Sequence, residues 1–172
     1  VQDVDSGLHP WIAVLDFKSM YPSIMIEKNI CFTTRIDAKD APSEDVYLAP
    51  DGTAYLGRSH RNGLVPRLLQ QLMDERDRQK TAMKMARIEE DEITAFFHDR
   101  LQFAVKILMN SFYGVFASSF YRFTHQDIGA SITAWARSNI RGVIATLEKE
   151  NQRVVYGDTD SMGTNWTNLP KH

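Results

Sequence analysis

The sequence has one cysteine, Cys31, in 172 residues. A lone cysteine excludes an internal disulfide framework and a cysteine-rich zinc site, and it fits a reducing compartment. Long apolar runs are also missing. None reaches the length of a membrane-spanning helix, so no membrane is expected as a partner. The opening "VQDVDSGLHPW" lacks the basic and apolar regions of a signal peptide, and it lacks an initiator methionine. Net charge is nearly absent too, at −2. The chain as a whole therefore announces no polyanion partner, and any surface for nucleic acid must be a local patch. There is no internal repeat and no low-complexity tract.

What is present suits an ordinary globular chain. Hydrophobic residues make up 43% and charged residues 24%, enough for a sizeable core. "WIAVLDF" (Trp11–Phe17) reads as a short buried strand ending in a single charge, Asp16. The "SMYPSIMIEKN" that follows reads as a helix, with Ser19 as its cap and Pro22 in its first turn. Residues 37–63 read as a loop-rich excursion with a hairpin around Asp51-Gly52. A helix is expected to begin near Pro66, with Val65, Leu68, Leu69, Leu72, Met73 and Met83 at helical spacing. A second should run through "RLQFAVKILMNSFYGVFASSF" and end near Gly114. The acidic link at Glu89–Glu92 is short, so these two helices should pack antiparallel. A third amphipathic helix covers "HQDIGASITAWARSNIRGVIATLEKEN". "RVVYGDTDSMGTNW" then reads as strand, tight turn, strand.

Three features point to chemistry. Asp158 and Asp160 stand two residues apart at a strand end. A period-2 strand would place them on one face about 7 Å apart. Two like charges so close resist joint ionisation unless a cation is present. A polar β-turn would use the same residues. If the strand ending at Asp16 lies beside this one, two or three carboxylates converge, which suits Mg²⁺, a hard cation that keeps waters and substrate phosphates as further ligands. Arg76, Lys80, Met83, Lys84 and Arg87 fall at spacings of three or four, along one side of a helix. A solvated surface would look the same, but residues 58–87 are basic within a slightly acidic chain. Basic side chains facing a carboxylate–metal cluster would hold a triphosphate. Finally, Lys106, Asn110 and Tyr113–Gly114 recur at one-turn spacing. Their common face suits either core packing or a ring beside a base pair.

Taken together, "DFKSMYPSI" (Asp16–Ile24), "KILMNSFYG" (Lys106–Gly114) and "YGDTDS" (Tyr156–Ser161) resemble, in order, the A, B and C motifs of family B DNA polymerases. The family patterns are D-x-x-S-L-Y-P-S-I, K-x3-N-S-x-Y-G and Y-G-D-T-D-S. Met20 replaces the usual leucine, a volume-conserving change. The resemblance covers nearly the whole chain.

The resemblance implies an α+β fold: a palm with a small antiparallel sheet backed by helices, plus an antiparallel helical hairpin as fingers. Residues 1–63 and 119–172 would be palm and 64–118 fingers. It implies DNA-templated DNA synthesis by two-metal nucleotidyl transfer, with Asp16, Asp158 and Asp160 as catalytic acids. Asp16, Asp160 and the Phe17 carbonyl would hold two Mg²⁺ ions, Mn²⁺ being a possible substitute, with Asp158 in a supporting role. Lys18, Ser19, Met20 and Tyr21 would meet the incoming nucleotide, Tyr21 lying under its sugar and excluding a 2′-hydroxyl. Arg76, Lys80 and Lys106 would hold its phosphates. Asn110 would contact the nucleotide, and Tyr113 and Gly114 would stand by the nascent base pair. The match at Arg76 and Lys80 rests on "DERDRQK" resembling the basic fingers helix.

The partners implied are primer–template DNA, deoxynucleoside triphosphates and further polymerase domains, at an intracellular location with the DNA. A complete member of the family also carries a 3′–5′ exonuclease domain and a thumb, whose patterns do not occur here. The expectation is a catalytic-core segment, weak or inactive alone. The alternative is a structural or DNA-binding piece of a split or chimeric polymerase. A different two-aspartate phosphotransferase would leave the middle motif and Tyr21 without a role.

Overall fold

The computed structural model describes residues 6–122 and 125–165. Its elements, in chain order, are β1 (Ile12–Asp16), α1 (Met20–Glu27), β2 (Arg35–Ile36), a single 3₁₀ turn (Ala38–Asp40), β3 (Val46–Leu48), β4 (Ala54–Leu56), α2 (Leu64–Ile88), α3 (Glu92–Ala117), α4 (Gln126–Lys149), β5 (Arg153–Asp158) and β6 (Ser161–Asn165). They form an α+β fold with two small antiparallel sheets, ordered β1-β6-β5 and β2-β4-β3. The expected hairpin around Asp51-Gly52 is the β3–β4 pair, and the two-residue β2 adds to its free side.

The core lies where α1 meets the other helices and the first sheet. Met20, Ile24 and Met25 of α1 pack with Leu69 of α2, Met109 and Phe116 of α3, Ile132 and Ile140 of α4, and Met162 of β6. α1 is apolar almost all round because it is enclosed on several sides. Its C-terminal end turns at Asn29, at φ 52° and fully buried. A buried amide must be satisfied. Here Nδ2 donates to the carbonyls of Leu56 and Arg61, both at 2.7 Å, and Oδ1 accepts from the Gly63 amide at 2.9 Å. This fixes the start of α2. Gly63 is small for the same reason: a Cβ there would sit 2.9 Å from Pro66 Cδ and 3.0 Å from Asn29 Oδ1.

α2 and α3 form the expected antiparallel hairpin, joined by Glu89–Asp91. His98 faces Gln79, and Gln102 faces Arg76, so contacts climb one helix as they descend the other. Asp91 caps α3 by accepting from the Thr94 amide at 3.0 Å. α2 begins at Leu64, before Pro66. α3 runs three residues past Gly114, because Gly114 is not in the left-handed conformation with which a glycine ends a helix.

The second sheet is pinned to α4. Tyr55 is fully buried and its hydroxyl meets Ser131 Oγ at 3.0 Å. Burial pushes that phenol up to about 12.

One expectation is corrected. β1 is an apolar run but not a buried one: Val14 is 72% exposed and Trp11 80%. Among the described residues it is an edge strand, paired on one side only, to β6, so continuous apolarity here does not report burial on both faces.

Candidate active site

The first sheet fixes where the acids stand. Asp16 ends β1 and pairs with Ser161. Asp158 ends β5 and pairs with the same Ser161. Residues directly opposite in a ladder share a face. Asp16, Ser161 and Asp158 therefore form a row across three strands, with the outer two Cα atoms about 9.5 Å apart. β5 carries a bulge between Val154 and Tyr156, which lets Val154 and Val155 both turn inward. The extra residue sets which face Asp158 takes.

Asp160 does not belong to that row. β5 and β6 are joined by the two-residue loop Thr159–Asp160, and Thr159 has φ 47°. Two-residue hairpins favour positive φ at this position, where the backbone twist matches that of the strands. A β-branched residue there carries strain of order 1–3 kcal/mol. The period-2 expectation for Asp158 and Asp160 accordingly fails, because the strand stops at Asp158. The reversal swings Asp160 toward β1, where its carbonyl accepts from the Phe17 amide at 2.8 Å.

The result is a cavity of about 490 Å³ lined by Asp16 and Asp160, but not by Asp158. Phe17, Lys18, Ser19, Met20 and Tyr21 form its floor, Arg76 and Lys80 come from α2, and Lys106, Asn110 and Tyr113 from α3. Gly114, a candidate from the sequence, is not part of the lining. Lys84 and Arg87 are also outside it, so the basic side of α2 serves two environments.

Ser19 occupies the cap position of α1 at φ 48°, yet its side chain does not cap the helix. Its backbone carbonyl instead accepts from the Ser23 amide at 2.9 Å. Its hydroxyl is left to face Arg76, whose Nη1 lies 3.5 Å away. Two strained non-glycine residues, Ser19 and Thr159, thus line the same cavity.

Three features could not be read from the sequence. Lys18 Nζ pairs with Asp77 of α2 at 2.6 Å. Arg76 Nε donates to Gln102 Oε1 of α3 at 3.3 Å. The first contact ties α2 to the loop after β1, and the second ties α2 to α3. The rings of Tyr21 and Tyr113 lie 4.5 Å apart, tilted by 41°. Burial, then the neighbouring Tyr113 and Asp160, push the Tyr21 hydroxyl above the usual phenol range, with Arg137 pulling the other way. Tyr21 is therefore neutral near pH 7.

The cavity places carboxylates on one wall and cations on the other. Among the described residues Asp16 and Asp160 make no ion pair. No group of three His, Cys, Asp or Glu side chains there forms a ready metal cage. Two unpaired hard-oxygen carboxylates in a common cavity fit Mg²⁺, which commonly binds through one or two carboxylates and takes its remaining ligands from water and phosphate.

A sequence model of DNA polymerase family B matches residues 3–168. The chain belongs to DNA polymerase family B. Among its relatives, the DNA polymerase delta catalytic subunit of Caenorhabditis elegans is 34% identical over 164 residues, covering 88% of this chain and 15% of that protein. The DNA polymerase alpha catalytic subunit of Mus musculus is 34% identical over 169 residues, covering 92% of this chain and 11% of that protein. The family B DNA polymerase from the hyperthermophilic archaeon Pyrobaculum calidifontis superposes with a TM-score of 0.78 at 28% identity, over 98% of this chain and 22% of that one. This family B chain spans less than a quarter of the length of each of these proteins.

Proposed function

We propose that this chain is the palm and fingers part of a DNA-directed DNA polymerase that performs nucleotidyl transfer with two divalent metal ions. The observation that carries the proposal is the single cavity with Asp16 and Asp160 on one side and Arg76, Lys80 and Lys106 on the other. Residues 1–63 and 119–172 are then palm, and residues 64–118 fingers. The names of its relatives support this reading. Primer–template DNA, deoxynucleoside triphosphates and the remaining polymerase domains are its partners, wherever in the cell the DNA is held. No described helix is long and apolar enough to cross a membrane.

Asp16, Asp160 and the Phe17 carbonyl would hold the Mg²⁺ ions, with Mn²⁺ as a substitute. When bound, these ions lower the pKa of the attacking hydroxyl and neutralise the charge developing on the leaving pyrophosphate. The rest falls to the chain itself. Arg76, Lys80 and Lys106 bind triphosphate oxygens through charge-assisted hydrogen bonds. The backbone from Lys18 to Tyr21 approaches the same phosphates. The Tyr21 ring, braced by Tyr113, forms the floor under the sugar and leaves no room for a 2′-hydroxyl. Asn110, Tyr113 and the open flank at Gly114 meet the nascent base pair. Asp158 supports the loop from outside the cavity.

The test is to graft residues 1–172 into the matching span of a full-length family B polymerase and measure primer extension. The graft is expected to extend primer in a Mg²⁺-dependent way. A well-folded but inactive graft would remove the claim that this segment carries a competent site.

A further inference from the structure

The salt bridge between Lys18 and Asp77 crosses from the sheet that carries the acids to the hairpin that carries the cations. α2 joins the core through Leu69, Leu72 and Met73, and Asp77 lies one turn beyond them. Farther out, Met85 and Ile88 of α2 and Ile93, Phe96 and Phe97 of α3 are exposed, so the outer part of the hairpin stands clear of the core. Lys18 belongs to the loop that follows Asp16. Its Nζ donates to both carboxylate oxygens of Asp77, at 2.6 and 2.9 Å. The adjacent residues also meet, with Arg76 Nη1 3.5 Å from the Ser19 hydroxyl. Two consecutive residues of α2 thus clasp two consecutive residues of the loop. Lys18 and Arg76 line the cavity, whereas Asp77 faces a shallow hollow outside it, with Asp74, Arg78 and Met85.

We infer that Asp77 is a positioning residue: through Lys18 it latches the α2–α3 hairpin over the cavity before nucleotide arrives, and so tightens nucleotide binding. This rests on the reading above, in which Arg76, Lys80 and Lys106 take the triphosphate. Those cations face the acids only while α2 lies against the loop. The Lys18–Asp77 pair exists in that arrangement and is lost if the hairpin swings outward, so it raises the population that can bind. A ligand whose competent state is more populated binds with a lower apparent dissociation constant. The opposite role, an acid that stands in for phosphate and competes with it for Lys18, requires Asp77 to line the cavity. It does not, so a triphosphate beside Arg76 has no need to displace it. Both partners are about half exposed, which sets the size of the effect and makes it sensitive to salt.

The experiment uses the full-length graft and two readouts. The first is single-turnover incorporation against nucleotide concentration. Asp77→Asn should weaken nucleotide binding about two- to five-fold, the range of an exposed ion pair. The rate at saturating nucleotide and the affinity for primer–template should not change. Asp77→Glu should recover part of the loss. In a Lys18→Met background, Asp77→Asn should do nothing more. High salt should erase the difference between Asp77→Asn and its parent. The second readout needs neither catalysis nor nucleotide. Nitroxide labels are placed through Glu89→Cys at the hairpin tip and Ser138→Cys on α4, both exposed positions, in a host without other reactive cysteines; Cys31 is buried. The parent should show one short separation, and Asp77→Asn should add a longer one.

Three results would overturn the inference. Asp77→Asn could leave both the nucleotide affinity and the label separation as they were, which would make the pair a surface contact without effect. It could tighten nucleotide binding, which would make Asp77 a competitor of the triphosphate. Or its loss could persist undiminished in the Lys18→Met background, which would show that Asp77 acts through some other group. A graft that is inactive but gains the longer separation with Asp77→Asn would support the latch and count against the polymerase reading instead.

Discussion

The acidic and basic walls of the cavity are built on different principles. The acids ride on strand ends and a two-residue loop, where ladder register and one backbone hydrogen bond, Phe17 to Asp160, fix their positions. The cations Arg76, Lys80 and Lys106 ride on long side chains of a helical hairpin, where Gln102 holds Arg76 and Asp77 reaches across to Lys18 of the loop after β1. A short carboxylate on a ladder has little freedom left to lose. A long guanidinium or ammonium has much, and its placement depends on partners. The acidic wall should therefore behave as a fixed template with all-or-none effects. The basic wall should be graded and adjustable, which suits a hairpin that closes on a nucleotide.

The sharpest way to break this contrast is on the acidic side. Asp16→Asn in the full-length graft should slow single-turnover incorporation about a thousand-fold or more, about 4 kcal/mol of transition-state stabilisation. DNA affinity should largely survive, because phosphate contacts elsewhere supply it. Near-normal chemistry would show that Asp16 is not a metal ligand.

On the basic side, Lys106→Ala, Lys80→Ala and Arg76→Ala should each weaken nucleotide binding about 10- to 100-fold, from loss of one charge-assisted contact of about 1.5–3 kcal/mol. Titration of the incorporation rate against nucleotide separates this from DNA affinity. Equal loss of DNA affinity, with unchanged nucleotide dependence, would move these residues to duplex binding.

Tyr21 belongs to neither wall and sharpens the comparison from below. Tyr21→Ala should reduce discrimination against ribonucleotides about tenfold or more, the size of a lost steric exclusion. Template-directed base choice should hold. Competition between ribo- and deoxyribonucleotides on one primer is the readout, and unchanged discrimination would show that Tyr21 is not the gate.

The smallest effect should come from the supports. Gln102→Ala removes one hydrogen bond to Arg76, worth about 0.5–1.5 kcal/mol. It should weaken nucleotide binding a few-fold, and should add nothing once Arg76 is already alanine. Additive losses in the double variant would mean that Gln102 acts independently of Arg76.

The same contrast explains what the sequence could disclose. Asp16, Lys106, Tyr113 and Asp160 sit in contiguous motifs, and the hairpin of α2 and α3 follows from helical periodicity plus a short acidic link. The resemblance already assigned Asp160 to the metals and Asp158 to a supporting role, but the reversal at Thr159, with its positive φ, was not legible, because a strand pattern does not reveal where it reverses. Lys18–Asp77 joins residues 59 apart in the chain, so no local pattern could disclose it. The exposure of β1 is hidden in the sequence for a related reason. An apolar run reports what a strand tolerates, and the number of neighbours it has in the sheet is a tertiary fact. The Asn29 hub leaves no mark in the sequence either, since one asparagine after a helix looks like any other turn residue.

The central claim is that the Thr159–Asp160 reversal puts one of two neighbouring acids into the cavity and leaves the other outside. The most direct test applies the same chemical change at both positions, comparing Asp160→Asn with Asp158→Asn in the full-length graft by single-turnover incorporation at saturating Mg²⁺. Asp160→Asn should match Asp16→Asn, a loss of about a thousand-fold or more, whereas Asp158→Asn should stay within about tenfold of the parent. Equal losses at the two positions, or a larger loss at Asp158, would contradict the account.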